Sequence, residues 1–177
     1  MSQPQPPHLA KLIISLIMRP RELIGPVAGD LTDLFGAIDM VSPWFDFTYT
    51  HYYVPEMGTP LFRRLLVFKT LIRQRDLADI KLQTNAVEHR YGRHDRRNVN
   101  IDPGYLLRER FVLATGKNFA HRIYIGKGIY ADLTLIYRKG AFEPLAWTYP
   151  DYADRPMRAY LELVRRKYVE DLKVVQS

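Results

Sequence analysis

Arg122, Tyr124, Tyr130 and Asp132 flank a glycine turn in the stretch HRIYIGKGIYADL. Residues 120–125 and 129–137 are rich in Ile, Leu, Tyr and Thr, which favour strands. Gly126-Lys127-Gly128 suits a three-residue hairpin turn, with glycine where positive φ is needed. That loop length sets Tyr124 opposite Tyr130 and Arg122 opposite Asp132. Ile123, Ile125, Ile129, Ala131, Leu133 and Leu135 then collect on the other side. On the polar side, an arginine can neutralise phosphate, a tyrosine can stack on a base, and a carboxylate can serve as general base or Mg²⁺ ligand. An ordinary solvated sheet face with one cross-strand ion pair has the same pattern.

The stretch before the hairpin, NVNIDPGYLLRERFVLATGK, reads as a short strand leading into a helix. Asp102 is placed to cap that helix and Pro103 to occupy its first position. Leu107, Phe111 and Ala114 follow at helical spacing, and Gly116 can end it. Gly104 inside the first turn costs about 1 kcal/mol against alanine, a cost that close approach of a ligand or another backbone would explain. Asn100, Asp102, Gly104 and Lys117 are therefore binding candidates beside Arg122, Tyr124, Tyr130 and Asp132.

NVNIDPGYL, FVLATGKNFAHRIYIGKGIYADLTLIYRKG and WTYPDY resemble the pattern of a bacterial family of unknown function. FGAID, THYYVPEMG and IKLQTN fit the same pattern, so the resemblance spans nearly the whole chain. Some members carry the label "GTP-binding protein", which implies GTP or another nucleotide as ligand, with Mg²⁺ as a companion ion. The chain has no GxxxxGK[ST] loop and no Asn-Lys-x-Asp motif. Asp132 stands where the family pattern has Glu.

Further chemistry-bearing residues lie outside the hairpin. His121 is a candidate for proton transfer, although its register points it to the apolar side, as a core histidine would be. Glu56, in the loop PEMGTP, is a candidate carboxylate or a plain loop acid. Lys81, Asn85 and Glu88 share a helical strip that could hold a phosphate and a sugar hydroxyl, or simply be solvated. HRYGRHDRRN, residues 89–98, is the most basic stretch, and arginines there could grip phosphates. His89 and His94 lack partners at ligand spacing, so no metal site is expected.

The chain has 177 residues, 47% apolar and 25% charged, and no cysteine, which excludes disulfides, thiolate metal sites and cysteine nucleophiles. No apolar run reaches the roughly 20 residues of a membrane span. Arg19-Pro20-Arg21 follows Leu12–Met18 without a signal-peptide cleavage site. A cytoplasmic protein is expected. The net charge of +7 combines −3 through Pro60 with +10 beyond it. That surplus suits an anionic small molecule, a nucleotide or RNA.

Residues 1–10, rich in Pro and Gln, read as a disordered tail before one domain over 11–177. Strands are expected at 11–18, 45–54 and 62–72, and helices at 21–35 and from Asp76 to about Tyr91. A short strand over 142–147 and a final helix from Asp154 follow the hairpin. The order predicts a two-layer α+β domain with a mainly antiparallel sheet and helices on one face. It begins as a ferredoxin-like β-α-β-β-α-β unit and continues as α-β-β-α. A nucleotide or phosphorylated-ligand site on the free face leads the functional readings. RNA binding through Tyr124, Tyr130 and residues 90–97, and protein interaction through the rings of 45–53, are the alternatives. No nucleophile–base pair marks the chain as an enzyme.

Overall fold

The computed structural model describes residues 1–92 and 96–176, the side chains of 175 and 176 excepted. In chain order the elements are β1 (Ala10–Met18), α1 (Ile24–Phe35), β2 (Ile38–Val41), β3 (Phe45–Asp46), α2 (Val54–Met57), β4 (Phe62–Ile72) and α3 (Leu77–Arg90). Then come β5 (Val99–Leu106), β6 (Arg110–Thr115), β7 (Arg122–Gly126), β8 (Ile129–Arg138), β9 (Ala141–Pro144), α4 (Pro150–Ala153) and α5 (Arg155–Gln176). The nine strands form one sheet in the order β2-β4-β1-β5-β6-β8-β7, with β3 beside β4 and β9 beside β8. Among the described residues every pairing of these strands is antiparallel.

The first four strands of that order, β2-β4-β1-β5, are the ferredoxin-like arrangement expected from the β-α-β-β-α-β start. The α+β class stands, but the helices occupy both faces of the sheet. On β1, Leu12, Ile14, Leu16 and Met18 pack with Val27 and Leu31 of α1 and Ile80 and Val87 of α3. Ile13 joins Leu65 and Val67 of β4 in the other core, with Tyr160, Leu161, Val164 and Tyr168 of α5. The near-continuous apolar run of β1 is what two covered faces require. Lys11, fully buried on the α5 side, bonds Asp39 and Asp171 at 2.6 Å each, tying β2 and α5 to β1. No helix among the described residues is long and apolar enough to cross a membrane.

The hairpin pairs as its sequence predicts, Arg122 with Asp132, Ile123 with Ala131 and Tyr124 with Tyr130. A register shift near the turn sets Gly126, rather than Ile125, opposite Ile129. Ile129 and Leu135 are buried and Ile125, Ala131 and Leu133 pack against the same apolar cluster, whereas Ile123 is exposed.

The helix expected from Asp102 does not form. Asp102 and Pro103 lie within β5, and residues 110–115 are β6. Leu107, Phe111 and Ala114 are all buried, so burial on a sheet imitated a helical stripe. The strand expected over 45–54 is likewise reduced to two residues, with β2 formed upstream and Val54–Met57 helical. Gly104 faces Leu113 across the β5–β6 pair. A Cβ at Gly104 would lie 2.4 Å from the Val112 carbonyl oxygen, so the glycine admits a neighbouring backbone.

Pro103 decides where that pairing ends. Tyr105 and Leu106 also pair across to β6, with Val112 and Phe111, and the ladder stops at Gly104. Backbone groups two residues apart point to the same side of a strand. The next bond towards β6 would come from residue 103, and proline has no N–H to give. Beyond this point β5 and β6 separate.

Gly104→Ala is expected to destabilise the fold by at least about 1–3 kcal/mol through backbone overpacking. Gly29→Ala, in α1 with nothing within 4 Å of its added Cβ, should stabilise by about 0.4–1 kcal/mol. Urea denaturation of both variants checks the pair. A stabilising Gly104→Ala would restore the helical reading of this segment.

Candidate functional site

The separation of β5 from β6 opens a cleft of about 620 Å³, within the range of small-molecule sites. Its base is the sheet face that carries Arg63, Asn100, Asp102, Leu113, Asp132 and Arg122. One wall is the polar strip of α3, Lys81, Asn85 and Glu88. The rim is made by the loops holding Tyr52 and Tyr53, Gly116 and Lys117, and Tyr149.

The α3 strip satisfies a free strand edge. Glu88 Oε2 accepts from the Ile101 N–H at 2.7 Å, and Lys81 Nζ donates to the Ile101 carbonyl at 2.9 Å. Lys81 also donates to Asp102 Oδ1 at 3.0 Å, and Asn100 Nδ2 donates to Asp102 Oδ2 at 2.5 Å. Burial alone would raise the Asp102 pKa, but the charge and hydrogen bond of Lys81, with Arg63 and Asn100, hold it below its ordinary value. Glu88 is pushed up by burial, which outweighs the opposing hydrogen bond from Ile101.

Arg97 donates through Nε to Glu56 Oε2 at 2.6 Å and through Nη1 to Asn100 Oδ1 at 3.0 Å. Its Nη1 lies 3.6 Å from Glu88. Its charge stacks on Tyr53, 5.3 Å from the ring centre. Burial works against the Arg97 charge, yet its bond to Glu56 and the field of Glu88 raise its pKa. Glu56 is thus tied to an arginine rather than lining the cleft, and this arginine turns inward. Arg93 and His94 of the basic stretch lie outside the described residues.

On the opposite side Arg122 is fully engaged. Nε donates to Asp132 Oδ2 at 2.9 Å, Nη1 to the Lys117 carbonyl at 3.0 Å and Nη2 to the Tyr149 hydroxyl at 2.7 Å. Asp132 is buried, and its Oδ2 also lies 3.2 Å from His121 Nε2. The His121 ring stacks on Trp147, 5.1 Å between centres. His121 thus leaves the apolar side predicted by its register and holds the wall from behind. With Oδ2 shared by Arg122 and His121, Asp132 keeps only Oδ1 for any ligand. Among the described residues no group of three or more His, Cys, Asp or Glu could hold a metal ion.

Five predicted binding residues meet in the cleft: Asn100, Asp102, Lys117, Arg122 and Asp132. Gly104 does not line it. Tyr124 and Tyr130 do not line it either; their rings pack on each other at 5.4 Å between centres, with Tyr124 exposed. The cleft also contains residues not singled out as binding candidates, among them Arg63, Tyr52, Tyr149, Asp151 and Tyr152. Only the run of rings in FDFTYTHYY and in WTYPDY signalled the tyrosines and Asp151, and no sequence feature signalled Arg63.

The family described as Domain of unknown function (DUF4416) matches residues 8–168, and the chain belongs to it. Neither the curated proteins nor the solved structures gave a match.

Asp102→Asn tests the network through its pH dependence. Asp102 ionises below the ordinary 3.8, so its pairing stabilises the fold above that pH and is lost as pH falls through the lower folded value. The variant is expected to cost about 1–3 kcal/mol near neutral pH. The difference from wild type should shrink below pH 3.8, as urea melts across the acid range would show.

Proposed function

For this member of a family of unknown function, we propose that the cleft binds a small phosphorylated molecule carrying a flat ring, with nucleotides as the leading class. The observation that carries this is the state of Lys117. Five cationic side chains line the cleft: Arg63, Lys81, Arg97, Lys117 and Arg122. Four of them lie against carboxylates, of Asp151, Asp102, Glu56 and Glu88, and Asp132 respectively. Lys117, alone of these five, has no carboxylate of a described residue within 4 Å; its ammonium donates to the Tyr52 hydroxyl at 2.9 Å. An ammonium at a cleft mouth with only a neutral partner is matched by an incoming phosphate.

The tyrosines supply the second half of the recognition. Tyr52 is 57% exposed, lies under the Lys117 ammonium and meets Tyr53 edge to face. The hydrogen bond from Lys117 lowers the Tyr52 pKa. A planar ring entering beside Lys117 finds an aromatic face to stack on. Asn85 on the α3 wall offers a side-chain amide with an acceptor and two donors for a ring edge.

The RNA alternative draws less support. Arg97 is held inside the cleft by Glu56 and Glu88. Of the rings expected as a protein-docking face, Phe47 is buried and Tyr53 lines the cleft, which leaves Tyr49 and Tyr52 exposed at the rim of the same cleft. The proposal is one of binding.

Titration calorimetry with GMP, GTP, AMP and the matching nucleosides tests the reading. Wild-type protein is expected to prefer nucleotides to nucleosides. Lys117→Ala should weaken nucleotide binding by roughly tenfold or more, as loss of a charge-assisted bond implies, and leave nucleoside binding nearly unchanged. Equal affinity of wild type for nucleoside and nucleotide, or no binding of either, would overturn it.

A further inference from the structure

At its closed end the cleft meets a niche of about 10 Å³. The two spaces share Phe47, Tyr49, Arg63 and Asp151 as lining. A space of that size holds one oxygen-sized group. Two buried polar atoms of its lining, Arg63 Nε and Asp151 Oδ2, have no hydrogen-bond partner, and neither does Tyr152 Oη in the adjoining lining of the cleft. Their residues are 5%, 6% and 2% exposed. Asp151 Oδ2 lies 2.7 Å from Arg63 Nη2, but not in hydrogen-bond alignment. The other terminal nitrogen, Nη1, donates to Ser15 Oγ at 3.0 Å.

Orphaned buried polar atoms are rare and costly, and here three belong to residues that line one cleft. Their chemistry selects what completes them. Arg63 Nε is a donor only and asks for an acceptor. Asp151 Oδ2 is an acceptor and asks for a donor. Tyr152 Oη can serve as either; burial pushes its pKa up to about 12, so it keeps its proton at neutral pH. A phosphate oxygen would satisfy Arg63 and be repelled by Asp151. An ammonium would satisfy Asp151 and be repelled by Arg63. A hydroxyl accepts from one and donates to the other.

We infer that this niche receives a hydroxyl of the ligand, so that the cleft takes a sugar phosphate, free or as part of a nucleotide, with its hydroxyl between Arg63 and Asp151 and beside Tyr152 of the cleft lining. The inference rests on the phosphorylated-ligand reading of the same cleft and adds the sugar. Arg63 is fixed for the task, its guanidinium flanked by the rings of Phe47 at 4.9 Å and Tyr152 at 4.6 Å.

The test uses the full chain and compares ribose 5-phosphate, AMP and GMP with the 2′,3′-dideoxy forms of the two nucleotides. The hydroxylated nucleotides are expected to bind roughly tenfold tighter or more than the dideoxy forms, because losing the hydroxyl leaves buried polar groups unpaired. Tyr152→Phe keeps the ring and Asp151→Asn keeps the shape. Either variant should narrow that preference while the dideoxy affinity holds. Should Asp151→Asn fail to fold, judged by thermal melting, Tyr152→Phe carries the test. Ribose 5-phosphate binding as tightly as the ribonucleotides would assign a free sugar phosphate. Tighter ribonucleotides would assign a nucleotide, and both results support the hydroxyl niche. Equal affinity of ribo and dideoxy forms in wild type would overturn the niche alone, leaving it a fixed-water site and the phosphate reading intact. Absence of binding by every phosphorylated compound would sink both.

Discussion

The backbone of Ile101 is the point on which the site depends. Its N–H and C=O face away from β1, towards the side where a strand partner is missing. An unpaired strand edge in a protein interior is costly unless something else bonds it. Helix α3 provides that, with Glu88 for the N–H and Lys81 for the carbonyl. The separation of the two strands is therefore a stable arrangement, and the space between them is a cleft with polar walls. Pro103 makes the separation begin where it does, and Gly104 lets the last paired residues approach closely enough to close its end.

Charge inside the cleft is almost fully balanced, and the balance is structural. Lys81 with Asp102, Arg97 with Glu56 and Glu88, Arg63 with Asp151, and Arg122 with Asp132 each join different segments of the chain. Removing one member of such a partly buried pair leaves the other charge without compensation, which costs more than the pair itself contributes. Arg122 extends its link further, joining β8 to the Lys117 loop and to Tyr149. These pairs set the shape of the cleft. They leave the Lys117 ammonium at the mouth with only a hydroxyl partner, and Arg63 Nε and Tyr152 Oη without a hydrogen bond.

The two covered faces of the sheet divide the labour. Helices α1 and α3 bury the even-numbered side of β1, and α5 buries the odd-numbered side. On the α5 side the apolar cover gives way at Ser15, which is buried but turns its hydroxyl to Arg63. The same face continues across Asp102, Leu113 and Asp132, so core and cleft lie on one surface of one sheet. Ligand contacts built on strands are held more rigidly than contacts built on loops, and here the base of the cleft is strand while its rim is loop.

The sequence alone determined what local pattern can determine. Strand β4 formed over its expected residues, β1 and α3 within a residue of theirs, and the hairpin kept Arg122 opposite Asp132, because alternation and turn length fix register over a short span. Lys81, Asn85 and Glu88 were legible as one strip of a helix, though not as a wall, since nothing local says what the strip faces. Residues 102–116 were misread because Asp-Pro at a helix start and Asp-Pro ending a ladder are the same letters. Only the presence of β1 on one side and β6 on the other decides between them. Arg63, Asp151 and Tyr152 come from distant parts of the chain, and no spacing announces their meeting. Tertiary structure alone decided it: α5 covers part of the face, the adjoining loops fold over the remainder, and three polar atoms are left buried in the lining of one cleft.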